Sequence, residues 1–261
     1  YIQHAMGWNV PQTIFVGRIN FIGLNLSASE TRKLIEQGRF SGWDDIRLPF
    51  LVALKRRGYQ PEAFIKYALS VGVTLTDKKV DKNEFFKALN AFNKEVIDPK
   101  SYRYFFVQDP VEIKIEGAPE RSIELDLHPD NKKGGRAFHT KDRFYITKDD
   151  FEDLKEGKLY RLMDCINFRK ENNRFVFDSV EYEKFKENGE RIMHWLPVSE
   201  SLINVDVLMD DGSTISGLGE EHMRNIQVDQ VVQLERFGFA RLDDYTEEEG
   251  RLHLKFWFGH R

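Results

Sequence analysis

The chain has 261 residues, enough to fill one to three domains, and its 41% hydrophobic and 31% charged residues are typical of a folded protein rather than a disordered one. No apolar run approaches the roughly 20 residues of a membrane helix and no signal peptide is recognisable, so we expect a cytoplasmic protein without a membrane partner. The formal net charge of -4 confines any nucleic-acid contact to local basic patches, and the single cysteine, Cys165, excludes an internal disulfide.

The first thirty residues mix short apolar runs with proline and glycine. This pattern predicts strands at residues 13–16 and 18–22, joined by loops. Because the chain starts at Tyr1 without an initiator methionine, we expect residues 1–30 to be the end of a larger folded unit.

Helical periodicity begins at Ser27, where Ser27 and Glu30 fit a capping box: the serine accepts from a backbone N–H and the glutamate reaches back. Apolar residues three and four apart, with glycine stops, predict helices over residues 27–38, 49–57, 61–71 and 82–95. The pattern ends at Asp98, because a residue that precedes proline is driven out of the helical conformation. Residues 31–100 are therefore predicted to form one compact helical domain.

After Ser101 the hydrophobic period changes from 3.6 towards 2, and residues 111–116 and 123–127 alternate strictly. Further short strands are predicted at residues 144–146, 159–168, 174–180, 191–195, 205–209, 231–235, 237–242 and 252–258. Many short strands separated by turns favour barrels, because closing a sheet removes its exposed edges. We predict two antiparallel β-barrels within residues 101–261, with their mutual boundary near residue 200.

Three segments carry a family resemblance. They are SGWDDIRLPFLVALKRRGY at residues 41–59, His128-Pro129 followed by KKGGR at residues 132–136, and LERFGFARLD at residues 234–243. Together they resemble the archaeal and eukaryotic type of glutamyl-tRNA synthetase and its close class I relative, glutaminyl-tRNA synthetase. The resemblance implies an α+β multidomain fold, in which the edge of a class I catalytic domain is followed by a small helical domain that contacts the tRNA stem. Two stacked anticodon-binding barrels then follow, and the resemblance leaves open whether one barrel is inserted into the other.

The resemblance aligns residues 25–29 with the family's second catalytic signature, Lys-Met-Ser-Lys-Ser in its general form. It implies a catalytic loop at Ser27 and Ser29, with Arg32 and Lys33 able to reach the ATP phosphates at a helix N-terminus. Neither lysine position of the signature holds lysine here, and Glu30 would repel phosphate, so the loop is electrostatically weakened. The alternative interpretation is that Ser27 and Glu30 only cap a helix.

Two basic segments are expected to bind tRNA: the end of the helix at residues 49–57 and the loop at residues 128–136. Lysines in the loop would hold phosphates, and Arg136 stands where the family places an arginine that reads an unpaired anticodon base. The alternatives are a solvated basic face and a polar hairpin. The residues predicted to contact tRNA are Lys55, Arg56, Arg57, Lys132, Lys133 and Arg136.

The seven histidines show no metal-ligand spacing, and we predict no metal site in this chain. The resemblance implies ATP and Mg²⁺ for the complete enzyme, with neither bound by this chain alone, because the family's nucleotide-binding half with its His-x-Gly-His signature is not part of the sequence. Adjacent Asp44 and Asp45 are interpreted as turn or capping residues without catalytic chemistry.

We interpret the chain as the C-terminal, anticodon-recognising portion of an ATP-dependent glutamate–tRNA ligase. Its expected partners are the tRNA for glutamate and a missing N-terminal catalytic half. The tRNA isoacceptors for glutamine are an alternative RNA partner, and no DNA partner is expected. Two alternatives stay open: the same portion of a glutaminyl-tRNA synthetase, and a stand-alone tRNA-binding subunit of a split synthetase.

Overall fold

A computed structural model describes residues 1–248 and 250–261 of the chain. The helices, in chain order, are α1 (Ile2–Ala5), α2 (Ala28–Glu36), α3 (Leu51–Arg56), α4 (Pro61–Val71), α5 (Lys82–Ile97), α6 (Lys148–Glu152) and α7 (Tyr182–Asn188). Short 3₁₀ helices occupy Asp98–Lys100 and Glu221–Asn225. Within the described ranges, no helix combines the length and apolar character needed to span a bilayer.

The strands are short and lie mostly after Ser101. In chain order they are β1 (Ile19–Ile22), β2 (Lys78–Asp81), β3 (Arg103–Tyr104), β4 (Phe106–Gln108), β5 (Pro110–Glu116), β6 (Arg121–His128), β7 (Asn131–Thr140), β8 (Arg143–Thr147), β9 (Leu159–Leu162), β10 (Asn167–Glu171), β11 (Arg174–Ser179), β12 (Gly189–Met193), β13 (Leu196–Pro197), β14 (Ile203–Leu208), β15 (Thr214–Gly219), β16 (Val231–Leu234), β17 (Gly238–Glu248) and β18 (Arg251–His260).

The helical region is built around α4 and α5. Pro61 starts α4, where its fixed φ suits the first helical position, and the Asp81 side chain caps α5 by accepting from Asn83 N–H. The parallel pair β1–β2 packs onto these helices, with the Phe21 and Phe85 rings in edge contact at 4.9 Å. The buried core of this region consists of Leu54, Tyr59, Ala63, Phe85 and Leu89.

Two seven-stranded sheets form the rest of the chain, together with the separate hairpin β6–β7. The first sheet runs β12-β9-β10-β11-β5-β8-β13, and the second runs β3-β16-β17-β18-β14-β15-β4. The two end strands of the second sheet, β3 and β4, are consecutive in the chain and separated only by Phe105. One bent segment therefore supplies both edges, which makes this sheet nearly closed, like a barrel. The end strands of the first sheet, β12 and β13, are likewise consecutive.

Each sheet has its own hydrophobic core. In the first, the fully buried Trp195 packs among Phe105, Phe138 and Phe144. In the second, Val207 and Phe256, from the paired strands β14 and β18, lie in the core. Because β3 and β4 precede the strands of the first sheet in the chain, the first sheet is inserted into the second, and no single boundary near residue 200 separates the two.

Most of the predicted helices and strands are confirmed. The two sheets are not purely antiparallel as predicted, because the first contains the parallel pairs β5–β11 and β9–β12 and the second the parallel pairs β14–β18 and β3–β16. Residues 13–16 form no strand. The predicted strand at residues 159–168 is two strands, β9 and β10, separated by a turn in which Asp164 has a φ of 53°. The sequence prediction missed β15, whose glycines weaken the strand pattern. A Cβ at Gly217 would collide with the Val107 carbonyl of the neighbouring β4, so this glycine permits a close strand approach.

Candidate nucleic-acid interface

The hairpin β6–β7 turns at residues 129–130, where His128 pairs with Asn131. The register then shifts, and Lys132, Lys133 and Gly134 bulge outward before Gly135 pairs with Asp126. Both lysine side chains are exposed, and neither makes an ion pair among the described residues. Residues 128–136 thus form the tip of a polar hairpin rather than a free loop, and the bulge presents two ammonium groups to solvent.

Two glycines with positive φ shape this bulge, since Gly134 has a φ of 67° and Gly135 a φ of 110°. The hairpin's own carboxylates accept their N–H groups: Asp126 Oδ1 from Gly134 at 2.8 Å and Glu124 Oε1 from Gly135 at 3.3 Å. A Cβ on Gly134 would overlap the Glu124 carboxylate. The positive φ at Gly134 therefore favours glycine in this bulge.

His128 fastens the hairpin tip to the helical region. Its ring is buried, and Nδ1 accepts from Asp130 N–H at 3.1 Å. That acceptor role leaves the proton on Nε2, which donates to the Asp98 carbonyl at the end of α5, 3.0 Å away. The exposed lysines are consequently held at a fixed place relative to α5.

Arg136 follows the bulge but points inward, with only 2% of the residue exposed. Its Nε and Nη2 donate to both oxygens of the fully buried Glu220, at 2.8 and 2.6 Å. The guanidinium also lies 4.5 Å from the centre of the Phe105 ring, and Phe105 N–H donates to Glu220 Oε2 at 2.7 Å. The structure thus favours an internal role for Arg136, tying the hairpin to the bent segment that closes the second sheet, over the predicted contact with an anticodon base.

At the end of α3, two of the three residues predicted to bind tRNA make contacts within the protein. Arg57 is 7% exposed, and its guanidinium donates to the carbonyls of Phe258 and Gly259 at 3.1 and 2.7 Å. Arg56 donates to both Asp243 oxygens, at 2.8 and 2.7 Å, and its guanidinium lies over an aromatic ring of the same sheet. Of the three predicted basic residues, only Lys55 points freely into solvent. Arg56 and Arg57 instead join the helical region to the second sheet.

The family-like segments at residues 41–59 and 234–243 meet at this joint. Asp44 accepts from Arg56 at 2.6 Å, and Arg241 donates to Asp243 at 3.0 Å. Burial acts to raise the pKa of Asp243, but hydrogen bonds and charges from Arg56 and Arg241 outweigh it and lower that pKa. Asp45 accepts from Arg47, which lowers the pKa of this carboxyl against the opposing effect of burial. Asp45 also accepts from the backbone N–H groups of Ser41 and Arg47, which agrees with its predicted turn role, whereas the contact of Asp44 is an ion pair with Arg56.

The loop before α2 has only half of the predicted capping box, because the Ser27 N–H donates to Asn25 Oδ1 at 2.9 Å and not to the Glu30 side chain. Ser27 Oγ accepts from Glu30 N–H at 3.4 Å, and its Oγ lies 3.2 Å from Ser29 Oγ. Arg32 and Lys33 are exposed on the first turns of the helix. The described residues contain no group of three or more His, Cys, Asp or Glu side chains placed to hold a metal ion.

A second buried network, which the sequence did not predict, lies at the junction of the two sheets. Arg236 donates to both oxygens of the buried Asp150, at 2.6 and 2.8 Å, and lies 3.3 Å from Nδ1 of His194. Burial, reinforced by the Arg236 charge, lowers the pKa of His194 to about 4. Arg236 belongs to the family-like segment at residues 234–243, so the sequence pointed to this arginine. Nothing in that segment identified Asp150 and His194 as its partners.

Comparison with known proteins gives consistent matches. The family described as "tRNA synthetases class I (E and Q), anti-codon binding domain" matches residues 101–183, and a second model of the same description matches residues 170–243. A glutamate–tRNA ligase of Methanobrevibacter smithii is 35% identical over 264 residues, which cover 100% of this chain and 45% of that protein. The ligase of Pyrococcus horikoshii is 40% identical, with 93% and 43% covered, and that of Thermococcus kodakarensis is 38% identical, with 95% and 44% covered. The chain spans less than half the length of these relatives and matches their C-terminal half.

Proposed function

The chain belongs to the class I tRNA synthetases of the glutamyl and glutaminyl type, in the region of their anticodon-binding domains, and from this premise we propose that it is the tRNA-binding, anticodon-recognising portion of a glutamate–tRNA ligase. The observation that carries the proposal is the similarity to glutamate–tRNA ligases along 93–100% of the chain. The same observation favours the glutamyl function over the glutaminyl one. The two sheets would then be the two stacked anticodon-binding barrels.

The hairpin tip supports RNA binding on a chain whose net charge is -4. Lys132 and Lys133 are exposed ammonium groups on a hydrogen-bonded bulge, a placement suited to phosphates of the RNA backbone. Lysine contacts of this kind position an RNA without reading its sequence. We therefore assign phosphate contacts to both lysines and to Lys55. The side chains that read the anticodon would be others than the buried Arg136.

In the complete protein, ATP would activate glutamate for its transfer to tRNA, with Mg²⁺ as the accompanying ion. Ser27, Ser29, Arg32 and Lys33 would lie at the edge of that reaction, with the two cations facing the ATP phosphates. These residues fit the ATP phosphates poorly, because the Ser27 hydroxyl is engaged as a helix cap and Glu30 adds a negative charge to the same turn. We derive no catalytic step from this loop.

An exposed apolar surface supports a further folded unit beside this chain. Trp8, Phe15 and Ile22 are more than half exposed, at 59%, 79% and 54%. The neighbouring β1–β2 pair is parallel, an arrangement that proteins normally cover on both faces. A catalytic half of the same protein would cover this surface. The partner of a split synthetase would cover it equally well, and the proposal includes a cytoplasmic location in either case.

The test is equilibrium binding of the chain to a glutamate tRNA transcript, measured by fluorescence anisotropy between 50 and 200 mM salt. Lys132→Ala and Lys133→Ala should each reduce the slope of log K against log salt by about 0.7 to 0.9, because each removes one phosphate contact. Lys186→Ala, which removes an exposed lysine on α7, is the matched control and should leave the slope unchanged. Absence of tRNA binding at the lowest salt would refute the proposal.

A further inference from the structure

A cleft of about 470 Å³ separates the first turns of α5 from the second sheet. Lys82, Phe86 and Asn90 of α5 line one wall, and their i, i+4, i+8 spacing places them on one helix face. The opposite wall carries Asp210 and Phe258. The volume lies in the range of small-molecule sites.

The lining is strongly basic, with Arg47, Arg57, Lys82 and Arg261 against the single carboxylate of Asp210. Arg57 lies 3.3 Å from that carboxylate, which it partly neutralises. Arg47 is held in place by a carboxylate of its own turn. The Lys82 ammonium group is exposed and has no ion-pair partner among the described residues. Lys82 and Arg261 therefore supply the positive charge at the cleft that is not already paired with a carboxylate side chain of the described residues, on a protein that is acidic overall.

Amide and aromatic groups stand beside these cations. Asn90 Oδ1 accepts from the Tyr59 hydroxyl at 2.6 Å, so its amide N–H groups remain as donors. The Asn83 side chain also lines the cleft, and so does the ring of Phe86. Cations suit a phosphate, an aromatic ring suits the face of a base, and amides suit a base edge. An inorganic anion would use only the first of these three.

We propose that this cleft binds one nucleotide, with its phosphate near Lys82 and Arg47 and its base near Phe86, Asn83 and Asn90. The nucleotide is either an unpaired residue of a bound RNA or a free mononucleotide, since both present the same phosphate and base. The RNA source rests on the proposed tRNA-binding function, whereas the free nucleotide does not. This would be a binding site separate from the hairpin tip.

The test variant is Lys82→Glu, which reverses a charge in the cleft. Glutamate in the first turn of a helix interacts favourably with the helix dipole, so the variant should fold. Lys87→Glu makes the same charge change on the same helix at a residue that does not line the cleft, and serves as the control. Both proteins are titrated with glutamate tRNA, 5′-AMP and inorganic phosphate. Free ligands are followed by NMR through the side-chain amides of Asn83 and Asn90.

Lys82→Glu should weaken tRNA binding by about fivefold or more at 0.1 M salt and lower the log–log slope by about one, while Lys87→Glu changes affinity less than twofold. The cleft would be assigned to a free nucleotide if 5′-AMP shifts the Asn83 and Asn90 amide signals, if Lys82→Glu abolishes these shifts and if the variant leaves tRNA affinity unchanged. Equal effects of both variants on tRNA, together with no amide shifts from 5′-AMP, would overturn the proposal. If the chain binds no tRNA even at the lowest salt, the proposed function fails, and the 5′-AMP titration still decides for the cleft.

Discussion

Replacing Arg136 by methionine should destabilise the protein strongly while changing tRNA discrimination little. The substitution leaves the Glu220 carboxylate, which is 0% exposed, without its cation. Removal of one partner of a buried ion pair typically costs about 3 to 5 kcal/mol, because the remaining charge is neither solvated nor compensated. Glu220→Leu should cost a similar amount, since it leaves the Arg136 guanidinium uncompensated. Arg136 then acts as a structural residue, and every tRNA should be affected alike.

The double variant Arg136→Met with Glu220→Leu removes the whole ion pair, so it distinguishes the energy of the pair from that of the contacts around it. Replacement of a whole buried ion pair by apolar residues is often close to neutral. Here Phe105 N–H also loses its acceptor, 2.7 Å away, which adds about 1 to 3 kcal/mol. The double variant should therefore cost about 1 to 3 kcal/mol, and the double-mutant cycle should give a coupling energy of at least about 3 kcal/mol.

The measurement is urea unfolding followed by circular dichroism and tryptophan fluorescence. Trp195 reports locally, because its ring lies 5.4 Å from that of Phe138, and Phe138 also flanks Arg136. A lower midpoint with an unchanged slope against urea identifies lost stability. The reasoning would be refuted if Arg136→Met kept the wild-type midpoint and selectively weakened binding of the cognate tRNA relative to an anticodon-substituted one, since that behaviour belongs to a base-reading residue.

Three further predictions concern other parts of the chain. Arg56→Met should lower the urea midpoint and leave the salt slope of tRNA binding unchanged, because its guanidinium is bound to Asp243 at the joint; a slope reduced by about one would identify a phosphate contact instead. The pKa of His194 is about 4 in the folded protein and 6.5 when the side chain is exposed, so the folded state favours the neutral imidazole. Roughly 3 kcal/mol of stability that is present above pH 6.5 should therefore be lost as the pH falls to 4. A His194→Gln variant with the same pH profile of unfolding would contradict this. Gly134→Ala should lower the thermal unfolding midpoint by a loss of about 1 kcal/mol, because alanine is strained at this positive φ while the Glu124 side chain can move aside; an unchanged midpoint would show that the bulge rearranges freely.

The sequence alone determined the local structure of this protein. Helix α4 is predicted at its observed bounds, Pro61–Val71, because its proline start and glycine stop act within a few residues of the chain. The cap at Ser27 and the alternation along β5 are local in the same sense. The family-like segments were likewise readable, because each is a continuous run of residues.

Tertiary structure alone decided which charged residues are available to a ligand. Arg57 and Arg136 look as basic in the sequence as Lys55 and Lys132, yet the first two are buried and the other two exposed. The partner of Arg136 lies 84 residues away, and the Phe258 carbonyl that accepts from Arg57 lies 201 residues away. No local pattern encodes such distances. A buried arginine requires a carboxylate or carbonyl at hydrogen-bond range, and only the packing of the two sheets and the helical region brings those groups together.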